Sequence, residues 1–198
     1  IEDHSQATSA DFSSLTNVSG YLSVRGNGFE TLSIANLAGV GKQLLIGDNP
    51  ALTAFDMANL TSIGRGVQVE GNDSLQSLQL PGWATVGGYI EITNNPALTQ
   101  LDISAITSAP LGIIVEENDV LTGLDLSQVT TATGAISIQR NESLSSLDLS
   151  ALTSTTATVS ITDNDGLTTL AIPALASAGG LNINYNDLLE SVDIPLLQ

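Results

Sequence analysis

The chain has 198 residues, with 21 acidic against 4 basic side chains, a formal net charge of −17, and no cysteine. This charge argues against nucleic acids and anionic membranes as partners, since both reward lysine and arginine, and it favours cationic partners. Without cysteine, neither disulfides nor a thiol site contributes to the fold, and no apolar run approaches the roughly 18 residues of a membrane helix. We therefore expect neither nucleic acid binding nor direct membrane insertion.

Residues 1–11 precede the regular part of the chain, and we interpret them as an N-terminal lead-in or cap. Phe12, Leu15 and Val18 then begin an incomplete leading coil, which predicts one repeat domain over residues 12–198. The chain starts at Ile1 without a methionine and stops at Gln198 inside a coil. We expect it to be a processed or trimmed part of a longer protein.

An asparagine recurs at intervals of 22 or 23 residues through the repeat domain. Its members are Asn27, Asn49, Asn72, Asn95, Asn118, Asn141, Asn164 and Asn186. Such a period predicts stacked coils with the asparagine in the same turn of each. Buried turn amides need partners, and an asparagine side chain both donates and accepts. We therefore predict a ladder in which each asparagine bonds its own turn and the neighbouring coil.

Apolar residues stand at fixed offsets from each asparagine. Those five and three positions before it, such as Ile90 and Ile92, alternate with polar residues and predict a short strand with one buried face. Leucines three, six and eight positions after it predict a second strand-like side. A third inward column lies eleven positions after it: Leu60, Trp83, Ile106, Val129, Leu152, Leu175 and Leu197. Each coil therefore has about three sides, which predicts an all-β solenoid of about eight coils.

Two sequons, at Asn72 and Asn141, use ladder asparagines, and we predict that these stay unglycosylated. The sequons at Asn17 and Asn59 lie off the ladder and are the better acceptors.

Several segments resemble the repeats of receptor L-domain-like proteins, a leucine-rich-repeat-like family. They are Leu60-Thr61-Ser62-Ile63-Gly64, Tyr89-Ile90-Glu91-Ile92-Thr93-Asn94-Asn95-Pro96-Ala97-Leu98-Thr99 and Leu147-Asp148-Leu149. The resemblance covers about residues 12 to 198, although this chain lacks the cysteines of the receptor members. It implies a right-handed, single-chain β-solenoid displayed outside the cell and used for binding, adhesion or wall organisation. The matching positions are structural, so no functional residue is carried over.

Function is expected on the outward positions of the first strand, where the middle coils differ from the end coils. Carboxylates, an aromatic ring and an aliphatic side chain come together there, which predicts a patch for a basic or sugar-like ligand. The predicted ligand-binding residues are Tyr89, Glu91, Thr93, Ile114 and Glu116. The alternative is a solvated acidic face with scattered apolar residues.

A column of aspartates lies seven positions after the asparagine in three consecutive coils: Asp102, Asp125 and Asp148. Like charges about 4.8 Å apart repel, and a calcium ion would compensate them with oxygen ligands. In the alternative interpretation, each aspartate accepts hydrogen bonds from a serine two residues on, namely Ser104, Ser127 or Ser150.

Catalysis is not expected. Coils of constant length leave no long loops to wall a cleft, and His4, the sole histidine, lies outside the repeat domain. We expect a recognition or adhesion module outside the cell or at its surface, with a protein or glycan partner.

Two alternatives remain open. Uncapped solenoid ends expose strand edges, which favours a structural subunit that assembles end to end with other copies. Two interrupted threonine columns are typical of a weaker alternative, an ice-binding protein. They contain Thr53, Thr99, Thr122 and Thr168, and Thr61, Thr107, Thr130 and Thr153.

Overall fold

The computed structural model describes residues 1–80, 82 and 86–198, and Trp83, predicted above to point inward, lies outside this range. Within it the chain forms strands, turns and connecting segments but no helix, which confirms the all-β class. No helix in this part of the chain has the length and apolarity needed to cross a bilayer.

The first face of the molecule is an eight-stranded sheet in which every pair is parallel. Its strands are Leu22–Arg25, Gln43–Gly47, Gly66–Glu70, Tyr89–Thr93, Gly112–Glu116, Ala135–Gln139, Thr158–Thr162 and Gly180–Asn184. Neighbours pair with a shift of one repeat, so that Ile90 lies between Val67 and Ile113. This register stacks equivalent residues of successive coils in columns.

Two narrower faces complete each coil. The described strands of the second face are Ser9–Asp11, Thr31–Ser33, Ala54–Asp56, Ser77–Gln79, Gln100–Asp102, Gly123–Asp125, Ser146–Asp148, Thr169–Ala171 and Ser191–Asp193. Those of the third face are Asn17–Val18, Gly39–Val40, Ser62–Ile63, Thr131–Ala132 and Ser154–Thr155. Their pairs are also parallel. The predicted β-solenoid of about eight coils is therefore confirmed.

One apolar core runs through all the coils. The alternating strand residues of the first face point inward and are buried, as Ile90 and Ile92 show, and the leucines after the asparagine meet them from the second face. The leucine three positions after each asparagine from Asn49 onward closes a tight turn, because its backbone N–H donates to the asparagine carbonyl, at 3.0 Å between Leu98 and Asn95. The turn explains why leucine stands three positions after every ladder residue from Asn49 onward.

The asparagine ladder is present as predicted. In Asn95, Oδ1 accepts hydrogen bonds from the backbone N–H and from Nδ2 of Asn72, at 3.2 and 3.1 Å. Its own Nδ2 donates to the carbonyls of Val69 and Thr93 and to Oδ1 of Asn118. The six asparagines from Asn49 to Asn164 have no solvent exposure. Asn72 and Asn141 are therefore inaccessible in the folded protein, as their predicted lack of glycosylation requires.

The residue before each ladder asparagine adopts the left-handed backbone conformation that this turn requires. Two of these residues, Gly26 and Gly71, are glycines, whereas Asp48, Asn94, Glu117, Arg140, Asp163 and Tyr185 have φ values between 50° and 57°. Side chains with a Cβ are disfavoured there by about 1 to 2 kcal/mol. The repeat tolerates this strain because the ladder on one side and the strand on the other fix the turn.

Residues 1–11 pair with the first complete coil. Glu2 forms a parallel bridge with Arg25, and Ser9–Asp11 pairs with Thr31–Ser33. The backbone N–H of His4 donates to Oδ1 of Asn27 at 3.2 Å, the bond that each ladder asparagine makes with the next. His4 therefore occupies the ladder position of a leading coil. Because this position holds histidine instead of asparagine, the asparagine period did not reveal the leading coil. The segment lies over the first apolar layer.

Candidate ligand-binding face

The five predicted ligand-binding residues lie side by side at the centre of the first face. Tyr89, Glu91 and Thr93 point outward from one strand, and Ile114 and Glu116 from the next. In the register, Glu91 pairs with Ile114 and Thr93 with Glu116. All five side chains are partly exposed. We call this surface the central patch, and the sheet beneath it fixes its spacing.

Two arginines, whose ion pairs sequence reasoning did not predict, neutralise carboxylates in and beside the central patch. Arg25 Nη2 lies 2.5 Å from Glu70 Oε1 and 2.6 Å from Asp48 Oδ2. On the other side, Arg140 Nη2 lies 3.4 Å from Glu116 Oε2 and 2.8 Å from Glu117 Oε1. Both arginines reach across coils, so each joins residues that are 23 to 45 positions apart in the chain.

Uncharged donors complete the solvation of the same carboxylates. Gln68 Nε2 donates to Glu70 Oε2 at 2.6 Å, and Ser137 Oγ donates to Glu116 Oε1 at 2.7 Å. Thus Glu70 and Glu116 each have a cation and a hydrogen-bond donor from this chain. Both carboxylates are therefore engaged in contacts that link different coils.

Glu91 lies between these two networks and differs from both neighbours. Within the described part of the chain, no hydrogen bond or ion pair reaches its carboxylate. Partial burial, followed by the negative charges of Glu70 and Glu116, raises the pKa of Glu91 above its usual value. The ionised side chain is therefore less stable here than in water, which leaves it available to a ligand.

Tyr89 is held in a fixed orientation beside Glu91. Gln43 Nε2, two coils away, donates to the Tyr89 hydroxyl at 2.6 Å. The ring lies over Gly66, where a side-chain Cβ would come within 3.1 Å of two ring carbons. Partial burial and then the charge of Glu91 raise the pKa of Tyr89, so the hydroxyl remains protonated at neutral pH. The central patch therefore presents an ordered aromatic ring next to a carboxylate that no described residue bonds.

The aspartate column on the second face caps turns. Asp102 Oδ1 accepts hydrogen bonds from the backbone N–H and Oγ of Ser104, at 3.1 and 2.7 Å. Asp125 and Asp148 each accept the backbone N–H of the serine two residues on, at 2.8 Å. The side chain and backbone of Ser150 lower the pKa of Asp148. Across the described residues, no three histidine, aspartate or glutamate side chains form a group that could hold a metal ion.

Hydroxyl groups of the threonine columns also act between coils. Thr53, Thr99 and Thr153 each donate from Oγ1 to the carbonyl of the residue 23 positions earlier, at 2.9 to 3.2 Å. Thr61 does the same with Ala38 at 3.3 Å. These hydrogen bonds link neighbouring coils.

The sequence patterns did not identify an open groove that follows the turns beside the ladder. It has a volume of about 470 Å³, and its walls include Glu117, Asp119, Arg140, Glu142 and Asp165. These residues immediately precede or follow the ladder asparagines. The charged residues in the two columns that flank the asparagine column are therefore the sequence signal that could have revealed the groove. The charged residues that line the groove are acidic apart from Arg140.

Comparison of this chain with protein-family models, curated proteins and solved structures finds no match.

Proposed function

We propose that this protein is a non-catalytic recognition or adhesion module that binds a protein or glycan partner through the central patch. The observation that carries the proposal is Glu91, a carboxylate without a partner in the described chain, placed beside the fixed ring of Tyr89. A charged group in an environment that disfavours its charge lowers the stability of the folded protein, and such groups are typical of functional sites.

The backbone under the central patch supports binding without rearrangement. The inward residues of the same two strands, Ile90, Ile92, Ile113 and Val115, are at most 1% exposed. A surface fixed in this way loses little conformational entropy when a ligand binds, which favours affinity. An aromatic ring, an aliphatic side chain and a free carboxylate provide stacking, apolar contact and hydrogen bonding in one small area.

The same area favours binding over catalysis. General acid and base pairs need carboxylates whose environments separate their pKa values around an enclosed substrate. Here the patch is an open strand surface, and Glu116 is engaged with Ser137 and Arg140. The sole histidine, His4, lies in the leading coil, four coils from Tyr89 and Glu91. No step of acid–base or nucleophilic chemistry is needed to explain the arrangement.

The resemblance to receptor L-domain-like repeats adds a cellular location to this proposal. Proteins of that kind display a repeat surface outside the cell, and we place this module outside the cell or at its surface. Its excess of 17 negative charges keeps the chain soluble and disfavours contact with anionic surfaces. A partner that offers a cation or sugar hydroxyl groups to Glu91 suits both the patch and the charge.

The test is a binding screen of the intact 198-residue chain on glycan arrays and on a displayed peptide library. Any ligand found is then measured against Tyr89→Ala and Glu91→Gln. We expect each change to weaken binding by about tenfold or more, as for residues at the centre of an interface.

The matched controls are Tyr21→Ala, which removes an exposed tyrosine from the same outward column, and Glu142→Gln, which removes an exposed carboxylate from the groove. These variants should bind within about twofold of the wild type. Equal binding by Glu91→Gln and the wild type would exclude the central patch as the ligand site.

A further inference from the structure

The neighbours of Glu91 in the sheet leave its carboxylate without a hydrogen-bond donor. In the register, Glu91 lies between Gln68 of the preceding coil and Ile114 of the next. Gln68 Nε2 donates to Glu70 instead, at 2.6 Å, and the aliphatic side chain of Ile114 has nothing to donate. Both adjacent positions therefore leave the oxygens of Glu91 to a donor from outside the chain.

The basic side chains of the protein do not compensate the charge of Glu91 either. Arg25 and Arg140 form ion pairs with other carboxylates, at N–O distances of 2.5 to 3.4 Å. Among the residues that the structure describes, no ion pair includes Glu91. The raised pKa of this carboxyl agrees with the missing compensation, because a nearby positive charge would lower it. The group that suits Glu91 best is therefore a cation.

The ring of Tyr89 offers an aromatic surface to the same cation. The ring lies against the sheet over Gly66, and Gln43 holds its hydroxyl, so the partly exposed side of the ring is the one that faces away from the sheet. Cations bind over the faces of aromatic rings, within about 6 Å of the centroid. The first face already contains one such contact, in which Lys42 Nζ lies 5.1 Å from the centroid of the Tyr21 ring.

An exposed leucine lies at the border of the central patch. Leu111 is 67% exposed and precedes Gly112, the register partner of Tyr89. Its neighbours in the stack are Gly88, whose carbonyl accepts the Leu111 N–H at 2.9 Å, and Gly134, where a Cβ would clash with the Leu111 backbone. Because neither glycine has a side chain, the leucine side chain has no neighbour in its own column and is open to apolar contact.

We infer that the central patch binds an arginine or lysine side chain of a protein partner. The positively charged group lies between the Glu91 carboxylate and the outer face of the Tyr89 ring. Its methylene stem packs on Ile114, and an adjacent apolar side chain of the partner packs on Leu111. Arginine suits the patch best, since a planar guanidinium group both pairs with a carboxylate and stacks on a ring. This inference rests on the proposed function, because it specifies the ligand of the same patch.

The surroundings of Glu91 favour a basic protein over a neutral glycan. Sugar hydroxyl groups can donate to a carboxylate, but they bring no charge to compensate it. The aliphatic side chains of Ile114 and Leu111 offer them no hydrogen bond, whereas they complement the apolar residues of a protein surface. The net charge of −17 also attracts a basic partner from a distance.

The experiment compares two blocked peptides that differ in one charge. The first is acetyl-glycine-arginine-leucine-glycine-amide, and in the second citrulline, a neutral analogue of the same shape, replaces arginine. Each is titrated into the intact 198-residue chain and followed by nuclear magnetic resonance. We expect saturable shifts of the backbone amides in Tyr89–Thr93 and Gly112–Glu116, with a dissociation constant at least about threefold lower for the arginine peptide. Sodium chloride should reduce this preference.

Equal affinities of the two peptides would overturn the inference. Shifts that do not saturate in these two strands, or that centre on the groove around Glu117 and Glu142, would overturn it as well.

Three substitutions locate the contacts. Glu91→Gln should abolish the preference for arginine over citrulline, whereas the control Glu142→Gln, which removes one exposed carboxylate from the groove, should retain it. Leu111→Ala should weaken both peptides by the same factor, about twofold or more, because both contain the leucine. A preference that survives in Glu91→Gln would overturn the assignment of the cation to this carboxylate, and unchanged affinities for Leu111→Ala would overturn the apolar contact.

The glycan and peptide screen separates a failure of this inference from a failure of the proposed function. A neutral glycan that requires Tyr89 and Glu91, in a protein that does not prefer the arginine peptide, would overturn the inference and leave the proposed function standing. Ligands that bind Tyr89→Ala and Glu91→Gln as tightly as the wild type would overturn both.

Discussion

The first and last coils of these 198 residues are built from the same repeat, but their apolar layers are buried to different extents. At the N-terminal end, residues 1–11 lie over the first apolar layer, and Leu32 is 3% exposed. At the C-terminal end, Val192 holds the equivalent inward position of the second face and is 49% exposed. A coil buries its apolar layer only when it has a neighbour on each side. The burial of each apolar layer therefore depends on the coil that follows or precedes it.

The largest expected effect compares a ladder residue inside the array with the last one. Asn118→Ala removes the partners of Asn95, Ile92, Glu116 and Asn141 in a fully buried turn, and we expect a loss of about 4 kcal/mol in the free energy of unfolding. Asn186→Ala, in the last of the described coils where the side chain is partly accessible to water, should cost about half as much.

Chemical denaturation followed by circular dichroism measures both losses. Asn59→Ala is the control, because this exposed side chain makes one hydrogen bond, to the Ala35 carbonyl, and should change stability by less than about 1 kcal/mol. Equal losses for Asn118→Ala and Asn59→Ala would contradict the structural importance of the ladder.

Apolar truncation at the two ends sharpens the comparison. Leu32→Ala creates a cavity beneath the leading coil and should lower the free energy of unfolding by about 3 kcal/mol. Val192→Ala removes methyl groups that are half exposed and should cost less than about 1 kcal/mol. The measurement is denaturation at low protein concentration. A similar loss for both variants would contradict the difference in burial between Leu32 and Val192.

The turn before the ladder gives a smaller effect of opposite sign at the two ends. Tyr185, with φ of 54° and 75% exposure, is strained without packing in return, so Tyr185→Gly should stabilise the protein by about 1 kcal/mol. Gly26, with φ of 65°, has no room for a Cβ, which would lie 2.7 Å from Oδ1 of Asp3. Gly26→Ala should therefore destabilise by about 1 kcal/mol or more. Thermal unfolding of the two variants checks the signs, and a lower melting temperature for Tyr185→Gly would contradict the strain.

The smallest effect lies between the ends, at Glu91. Its pKa is higher in the folded protein than in the unfolded chain, so folding is favoured below the unfolded pKa near 4.5, and this advantage disappears as pH rises through the folded pKa. Glu91→Gln removes the ionised form, so the melting temperature of this variant at pH 7 should exceed that of the wild type. The expected increase is less than roughly 3 °C, which corresponds to about 1 kcal/mol in a domain of this size. Near pH 4 the difference should shrink. A lower melting temperature for Glu91→Gln at pH 7 would mean that the carboxylate has a stabilising partner.

The sequence predicted much of the fold because the fold repeats. Asn95, Leu98 and Ile90 are placed by periods that occur in every coil, and backbone bonding and apolar burial make the same demand each time. The serine partners of Asp102, Asp125 and Asp148 were also foreseen as one alternative, since two-residue capping is local. In contrast, the bonds of Arg25 with Glu70 and of Gln43 with Tyr89 cross two coils, and no period predicts which outward side chains meet.

The amino-acid sequence by itself determined a β-solenoid of about eight coils, its asparagine ladder and the columns that face its core. These features follow from spacing alone, because every coil must satisfy the same buried turn and the same apolar layer. Only the tertiary structure decided that Glu91 has no bonding partner among the described residues while Glu70 and Glu116 are neutralised, and that residues 1–11 cover the first apolar layer. Both depend on which side chains from distant coils come within bonding distance, and that distance is set by the stacking of the coils.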